Sequence, residues 1–466
     1  DDKRAVVRNA TFTTCQREPG PDWMPAWILR AATLRLDSEE EAAEAEDVTV
    51  SFQNVRVLGL SSMTFPLTEK RKSGFLSPTF SADNISGTSV TTPYYWNIAP
   101  NRDATFYPTV MSQRGVNYGG QFRYLEAGYS GQLRADYMPS DKLRDRDRWG
   151  RSFQHRGGVS DPSWGALGLN LNLNRVSDDD YWRDFPRATP SLTQRLLAND
   201  VGLNWNRGPY SATLRTLQWQ TLQDPLAPIV PPYDRLPQIV ARYTQPYAAG
   251  FDLGLEADYT DFQASSALTV QPNAQRSVAK GQLSYPLLGA AGFIIPRMSV
   301  HSVNYNFDRA LANGQRQAGR TVPTYSLDTG LVFERDASYF GSGFRQTLEP
   351  RLFYVYTPYV EQNYLPNYDS GLLDFNFASI YSENAFVGND RIADNNLLTG
   401  GLSTRLLDPD TGAEILRLGI AQRLRFEDQR VTLPGGTPSP KGVSDILLGA
   451  GLTIDPRWNL DSTVQY

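Results

Sequence analysis

Hydrophobic and polar residues alternate along most of this chain with a period of two. In "FDLGLEADYTDF", Phe251, Leu253, Leu255, Ala257 and Tyr259 fall on one face, and Asp252, Gly254, Glu256 and Asp258 on the other. "LGLNLNLN" sets Leu167, Leu169, Leu171 and Leu173 against Asn170, Asn172 and Asn174, and "QLRADYMP" sets Leu133, Ala135 and Tyr137 against Arg134 and Asp136. This period predicts strands. One alternating strand also suits a soluble sheet, so length and repetition decide. From residue 74 to the end, about nineteen such segments of roughly 10–14 residues follow one another; a tilted bilayer-spanning strand needs about 9–11 residues, whereas soluble strands run about 5–6. Their polar faces suit a water-facing lumen. Aromatic residues gather near segment ends (Tyr94, Tyr95, Trp96; Tyr129, Tyr137; Tyr354, Tyr356, Tyr359), as interface girdles do. Short turns such as "DPSWG" alternate with long loops such as "SDDDYWRDFPRATPSLTQ", which suits periplasmic turns on one rim and extracellular loops on the other.

Residues 1–66 have a different texture. "RAVVRNATFTTC", "WILRAATLRLD", "EAEDVTVSFQNVRVLGL" and "SSMTFPL" read as short strands, the end of a β-sandwich or jelly roll cut on its N-terminal side. The acidic run "DSEEEAAEAED" reads as a solvated hairpin turn or a short helix. The fold expected is all-β: a large antiparallel transmembrane β-barrel over 67–466, preceded over 1–66 by the end of a periplasmic jelly roll.

Composition narrows the class further. The chain has 466 residues, 40% apolar and 12% aromatic, and no run of about 18 apolar residues that could cross a membrane as a helix. Its mean hydropathy is −0.43, yet its aromatic and β-branched content is unlike that of disordered chains. The net charge of −5 is spread without a basic face, so nucleic acid is not an expected partner. No signal peptide is visible at "DDKRAVVRNATF", and both ends fall inside strand patterns, so the expectation is a processed or partial sequence.

Candidate chemistry is sparse. His155 and His301 stand apart in sequence, and Asp178 and Asp179 read as a loop run rather than an acid–base pair. The Gly-rich pieces "RGVNYGG" and "LLTGGLSTR" precede strands, so they do not read as phosphate cradles. Asn84 begins a sequon by pattern but reads as a turn. No enzyme activity, catalytic residue, metal site or cofactor is expected. The one cysteine, Cys15, excludes an internal disulfide framework and a cysteine-based zinc site. It is either a packing residue or half of a disulfide whose mate lies outside this chain.

One hairpin stands out. "SGFLSPTFSADNISGTSVTTPYYWNIAPN" reads as two strands around a turn at Asn84, Ser86 and Gly87, yet each strand carries a proline, Pro78 and Pro93. Proline lacks the N–H that a ladder needs and sits normally at edges or bulges. The prolines therefore mark strand boundaries or bulges, or they weaken a wall that has to open.

Several blocks carry a resemblance: "RKSGFLSPTF", "TPYYWNIAPNRDATFYP", "QFRYLEAGYSGQLRADYMPSDK", "RVSDDDYWRDF", "QTLEPRLFYVYTPYVEQ", "NYDSGLLDF" and "NDRIADNNLLTGGLSTRLLD". From about Cys15 to Tyr466 the sequence resembles the LPS-assembly protein LptD family, the organic-solvent-tolerance proteins of the Gram-negative cell outer membrane. The resemblance implies a periplasmic jelly roll and a barrel of about 26 strands, near the upper end of ordinary barrel sizes. The implied partners are lipopolysaccharide, an LptE-like lipoprotein plug in the lumen, a periplasmic Lpt bridge protein at the jelly roll, and membrane lipids. Acyl chains would leave through a lateral gate at the first barrel strands while the sugar crosses the lumen, which favours the gate reading of Pro78 and Pro93. "TTCQ" matches the family cysteine beside the barrel junction, so the resemblance implies a disulfide partner for Cys15 outside this chain. No nucleotide-binding motif is seen, so transport would be driven from elsewhere.

Two other classes compete. A general outer-membrane porin or receptor barrel should show a constricting inner loop with ordered charges, or its own N-terminal plug. A soluble periplasmic scaffold should lack heat-modifiable mobility in detergent gels.

Overall fold

The computed structural model describes residues 4–466 except 14, 17–22, 40–41, 68–70, 186–193, 266–268, 340 and 456. Part of the acidic run (Glu40, Glu41) and the second half of the loop after residue 176 lie outside the described residues. Contacts group the chain into two compact units. One comprises Asp1–Gly158, Leu169–Val201 and Gln220–Ile229; the other comprises Val159–Gly168, Gly202–Trp219 and Val230–Tyr466.

Within the first unit, β1 (Arg4–Phe12), β2 (Trp27–Asp37), β3 (Ala42–Phe52) and β4 (Val55–Pro66) form a four-stranded antiparallel meander. Ala31, Ala45 and Val48 make its buried centre, with Leu29, Leu34, Leu60 and Met63 packed around them. Gln53 and Asn54, both at positive φ (46° and 63°), turn β3 into β4 as a tight hairpin whose twist matches the strands. The described part of the acidic run is not helical: a turn at 38–39 passes into β3. Ala43 and Ala45 take the buried face there while Glu44 is exposed, so a period of two, rather than helix propensity, decides the segment.

The larger sheet has 24 strand elements ordered as a closed antiparallel barrel. Five of its strands are interrupted, each by a break of one to three residues with both halves on the same neighbour or hairpin. They are β5 (Gly74–Phe75) with β6 (Thr79–Asp83), β7 (Gly87–Thr91) with β8 (Tyr94–Ala99), and three later pairs: Ala274–Ser284 with Leu287–Gly289, Gln317–Leu331 with Phe333–Tyr339, and Gly442–Val443 with Leu447–Asp455. Counting each interrupted strand once gives 24 − 5 = 19 barrel strands among the described residues, the number read from the alternation.

The burial pattern is inverted relative to a soluble protein. Within the second unit, Leu255, Leu283, Met298, Leu327, Leu352 and Leu402 are exposed, while Asp258, Arg276, His301 and Arg320 are buried. Apolar residues outside and charges inside are what hydrocarbon around a hydrated interior demands. Among the described residues no helix is long and apolar enough to cross a membrane.

Two long connections fold onto inner faces. In the first unit, Tyr181 and Phe185 pack with Met138, Val176, Leu197 and Leu222. In the second, residues 358–394 lie over the strands: Leu365 joins Val278, Val303, Tyr305 and Phe307, and Ile380 joins Ala421 and Leu447.

Candidate functional site

The first barrel hairpin breaks where its prolines stand. Pairing holds at Gly74↔Tyr95 and Phe75↔Tyr94, then resumes at Thr79↔Thr91, Phe80↔Val90 and Ser81↔Ser89. Between them, three residues of one strand (76–78) face two of the other (92–93). Pro78 is half-buried and Pro93 buried in this gap. The far end of the hairpin is regular: Asp83 accepts from the Ile85 and Ser86 amides (2.9 and 2.6 Å), and Gly87 turns the chain at φ 73°.

One backbone bond crosses the gap, from the Leu76 N–H to the Pro93 carbonyl (2.8 Å). In an antiparallel pair, a residue's N–H and C=O point to the same neighbour, so Pro93 cannot return the bond that its position calls for. The next interface repeats the defect. The Thr92 N–H donates to the Pro108 carbonyl (3.1 Å) in β9 (Arg102–Met111), and Pro108 cannot return it. Pairing of β9 passes from Tyr94↔Phe106 to Thr91↔Thr109 across this point. Pro108 was not singled out in the sequence. Register places it beside the break: with Tyr94 opposite Phe106, Pro93 lies beside Tyr107 and Pro108 beside Thr92, so the three prolines stand at nearly one height on three successive strands.

A cavity of about 560 Å³ lies at the foot of this hairpin. Trp27, Leu29, Ala31 and Leu34 of β2 line it from the four-stranded sheet, and Phe75, Leu76 and Ser77 from the first barrel strand. Its size suits a ligand pocket and its walls are mainly apolar. Arg71 and Lys72 supply the cationic edge. Arg71 is tied inward: Nε donates to Tyr95 Oη (2.7 Å), a terminal nitrogen donates to the Pro100 carbonyl (3.0 Å), and the other pairs with Asp103. Arg123, on β10 (Gly115–Leu125), holds the same buried carboxylate with two bonds of 2.8 and 2.9 Å. The segment entering the barrel is thus latched across the second, third and fourth strands.

Cys15 follows the cavity-lining Phe12 by three residues and is a free, partly exposed thiol. The Thr13 hydroxyl and the Trp27 backbone hold its pKa below the ordinary thiol value. The two histidines are engaged separately. His155 Nδ1 bonds Tyr124 Oη (2.6 Å), and His301 lies 3.2 Å from Arg320 and 3.4 Å from Asn389. Among the described residues no group of His, Cys, Asp or Glu could hold a metal ion.

Two buried ion-pair networks were not legible in the sequence. In the first unit, Arg148 reaches Asp178 (2.8 Å), Asp184 (2.6 Å) and Asp141 (3.1 Å), so Asp178 anchors the loop run in which it stands. In the second, Arg276 grips both oxygens of Asp369 (2.6 and 2.7 Å) and one of Asp390 (2.8 Å), and Tyr305 Oη donates to Asp390 (2.7 Å). The second network joins residues 85–114 positions apart, beyond any local pattern.

The family profile described as "LPS transport system D" matches residues 146–466, and that described as "LptD protein" matches 45–223. The LPS-assembly protein LptD of Albidiferax ferrireducens is 59% identical over 474 aligned positions, covering all of this chain and 59% of that protein. The protein of the same name from Acidovorax sp. strain JS42 is 58% identical, with all of this chain and 58% of that protein covered. The one from Burkholderia cenocepacia is 39% identical, with the same coverage. The chain thus spans a little under 60% of the length of these curated relatives.

Proposed function

Because this chain belongs to the LptD family, we propose that it forms the part of an outer-membrane translocon where lipopolysaccharide leaves the periplasmic domain and enters the barrel wall. The family's place is the outer membrane of Gram-negative bacteria, and its members are transport and assembly proteins rather than enzymes.

The observation that carries the reading is the apolar cavity opening onto the broken first hairpin. Lipopolysaccharide joins acyl chains to a large polar sugar. Each unpaired polar group drawn through hydrocarbon costs several kcal/mol, so the sugar needs a hydrated lumen. The acyl chains need the opposite, an apolar path and a slot in the wall. A closed barrel has no edge, and making one breaks a ladder of hydrogen bonds. In this reading acyl chains rest in the cavity under Leu29, Leu34 and Leu76, with Lys72 near the phosphates. They pass out where Pro78, Pro93 and Pro108 have thinned the ladder, and the Arg71–Asp103–Arg123 latch keeps the four-stranded sheet in line with the wall. An LptE-like lipoprotein would fill the lumen, and a periplasmic bridge protein would deliver substrate to the sheet.

A photoreactive residue in place of Leu34, in the full-length protein with its partners, is expected to capture lipopolysaccharide in growing cells. No adduct there would overturn the reading. Cys15→Ser is expected to slow maturation of the full-length protein, visible as altered mobility on non-reducing gels. Unchanged folding and an unchanged disulfide pattern would make Cys15 a packing residue.

The porin reading has one observation in its favour, since residues 358–394 do form an inner loop with ordered charges. A diffusion pore needs those charges facing a pathway. Here Arg276 is buried against Asp369 and Asp390, so they lock the loop instead.

A further inference from the structure

We propose that Arg151 and Arg175 form a site on the outer wall of the barrel for the phosphate of a lipopolysaccharide molecule already lodged in the outer leaflet. The inference rests on the family's place in the outer membrane and not on exit through the first hairpin. β11 (Tyr129–Asp141), β12 (Arg146–Asp161) and β13 (Gly165–Val176) are successive strands of the wall. Their lipid-facing residues follow the alternation: Leu133 stands opposite Phe153, Tyr137 opposite Trp149, and Leu167, Leu169, Leu171 and Leu173 line β13. Arg175 continues the leucine series, and Arg151 stands between Trp149 and Phe153, so both lie on the outer face. Their neighbours Ser152 and Asn174 face inward and bond each other (2.8 Å). The Ser177 N–H donates to the Trp149 carbonyl (2.9 Å), and this register puts Arg151 directly opposite Arg175.

Packing gives no reason for such a pair. Like charges directly opposite each other destabilise a sheet, and an arginine on a lipid-facing wall is costly away from the interface. Both side chains are exposed, and among the described residues neither has a carboxylate partner. Asp147, two steps toward the rim on the same face of β12, is engaged by Tyr137 Oη (2.7 Å) and the Ser140 amide (3.0 Å). The Trp149 ring, 5.5 Å from the Arg151 guanidinium, steadies that side chain and leaves its N–H donors free. Height and charge identify the anion. Arg175 is the last residue but one of β13, which runs into the long loop after residue 176. Up-and-down connectivity puts that loop on the same rim as the hairpin turn at Gly87, the extracellular one. Trp149 and Tyr137 form the aromatic row one step nearer that rim, at the depth of the headgroups. A phosphate monoester, such as the lipid end of lipopolysaccharide carries, has about two negative charges at neutral pH and matches two guanidiniums. The phosphodiester of a glycerophospholipid has a single charge and would leave one arginine unmatched.

The test counts, by native mass spectrometry, the lipids that stay on the full-length protein with its partners through purification in mild detergent. The wild type is expected to retain a lipopolysaccharide molecule whose occupancy falls about tenfold in Arg151→Gln with Arg175→Gln. Heat-modifiable mobility and photocapture at Leu34 should stay at wild-type levels in that variant. Lipopolysaccharide stripped of its monoester phosphates by a phosphatase should be retained by the wild type as weakly as the intact lipid is by the variant. Excess phosphatidylglycerol should not displace the intact lipid. Equal occupancy in wild type and variant, retention indifferent to the phosphatase, displacement by phosphatidylglycerol, or weaker capture at Leu34 in the variant would each overturn the site. Failure of the wild type itself to capture lipopolysaccharide at Leu34 would instead overturn the transport reading and leave the outer-wall site standing.

Discussion

Replacing Pro78, Pro93 and Pro108 together with alanine in the full-length protein is expected to leave the barrel assembled and to slow lipopolysaccharide arrival at the cell surface on the order of tenfold. A backbone hydrogen bond restored to the ladder is worth about 0.5–1.5 kcal/mol net. The missing returns lie at Pro93, opposite Leu76, and at Pro108, opposite Thr92, so two restored bonds total roughly 1–3 kcal/mol, and each 1.4 kcal/mol is a factor of ten in the open population. The effect falls on opening rather than folding, because the added bonds stabilise the closed wall. Pro78→Ala with Pro93→Ala alone should give a smaller defect in the same direction, since the Thr92–Pro108 interface keeps its missing bond. Surface lipopolysaccharide at normal rates in the triple variant, with heat-modifiable mobility intact, would show that the prolines only mark strand breaks.

Arg276→Met is expected to release residues 358–394 from the inner face of the second unit. Arg276 is fully buried and is the shared partner of Asp369 and Asp390. Removing one side of a buried ion pair costs about 3–5 kcal/mol, because the stranded charge stays out of water. Burial pushes the Asp369 carboxyl up, yet its bonds to Arg276 outweigh this and hold it below the ordinary carboxylate range. A depressed carboxylate stabilises the docked loop above the unfolded value of about 3.9 and loses that contribution only as pH falls through its lower folded value. The wild-type loop should therefore stay docked in mild acid. Limited proteolysis within 358–394 and entry of large antibiotics should both rise in the variant at neutral pH. If neither changes, the pair does not hold the loop.

What could be read from the chain and what could not follow the range of the forces involved. Alternation is local, so the barrel strands, their number and the inward and outward faces of "FDLGLEADYTDF" are visible in one dimension. Pro78 and Pro93 are visible too, because a proline inside a strand pattern breaks a local rule. The meaning of Pro108 requires knowing that Thr92 lies opposite it, a fact of register. Arg71 sits in a quoted motif, but its partners Tyr95 and Asp103, and the Arg123 that shares Asp103 with it, lie on three other strands. Of the two readings of the acidic run, the turn holds at 38–39, while the helical one rests on alanines that are good helix formers. Pairing of β3 with β2 and β4 overrides that propensity.

The most direct measurement follows one substrate past two positions. Photoreactive residues at Leu34, in the cavity, and at Leu76, in the break of the first strand, are introduced separately into the full-length complex, with wild-type prolines and with the three alanines. Lateral exit through the first hairpin predicts adducts at both positions in the wild type. In the alanine variant the Leu76 adduct should fall while the Leu34 adduct accumulates behind the closed wall. Lipopolysaccharide that is captured at Leu34 and reaches the surface normally, without ever being captured at Leu76, would contradict it.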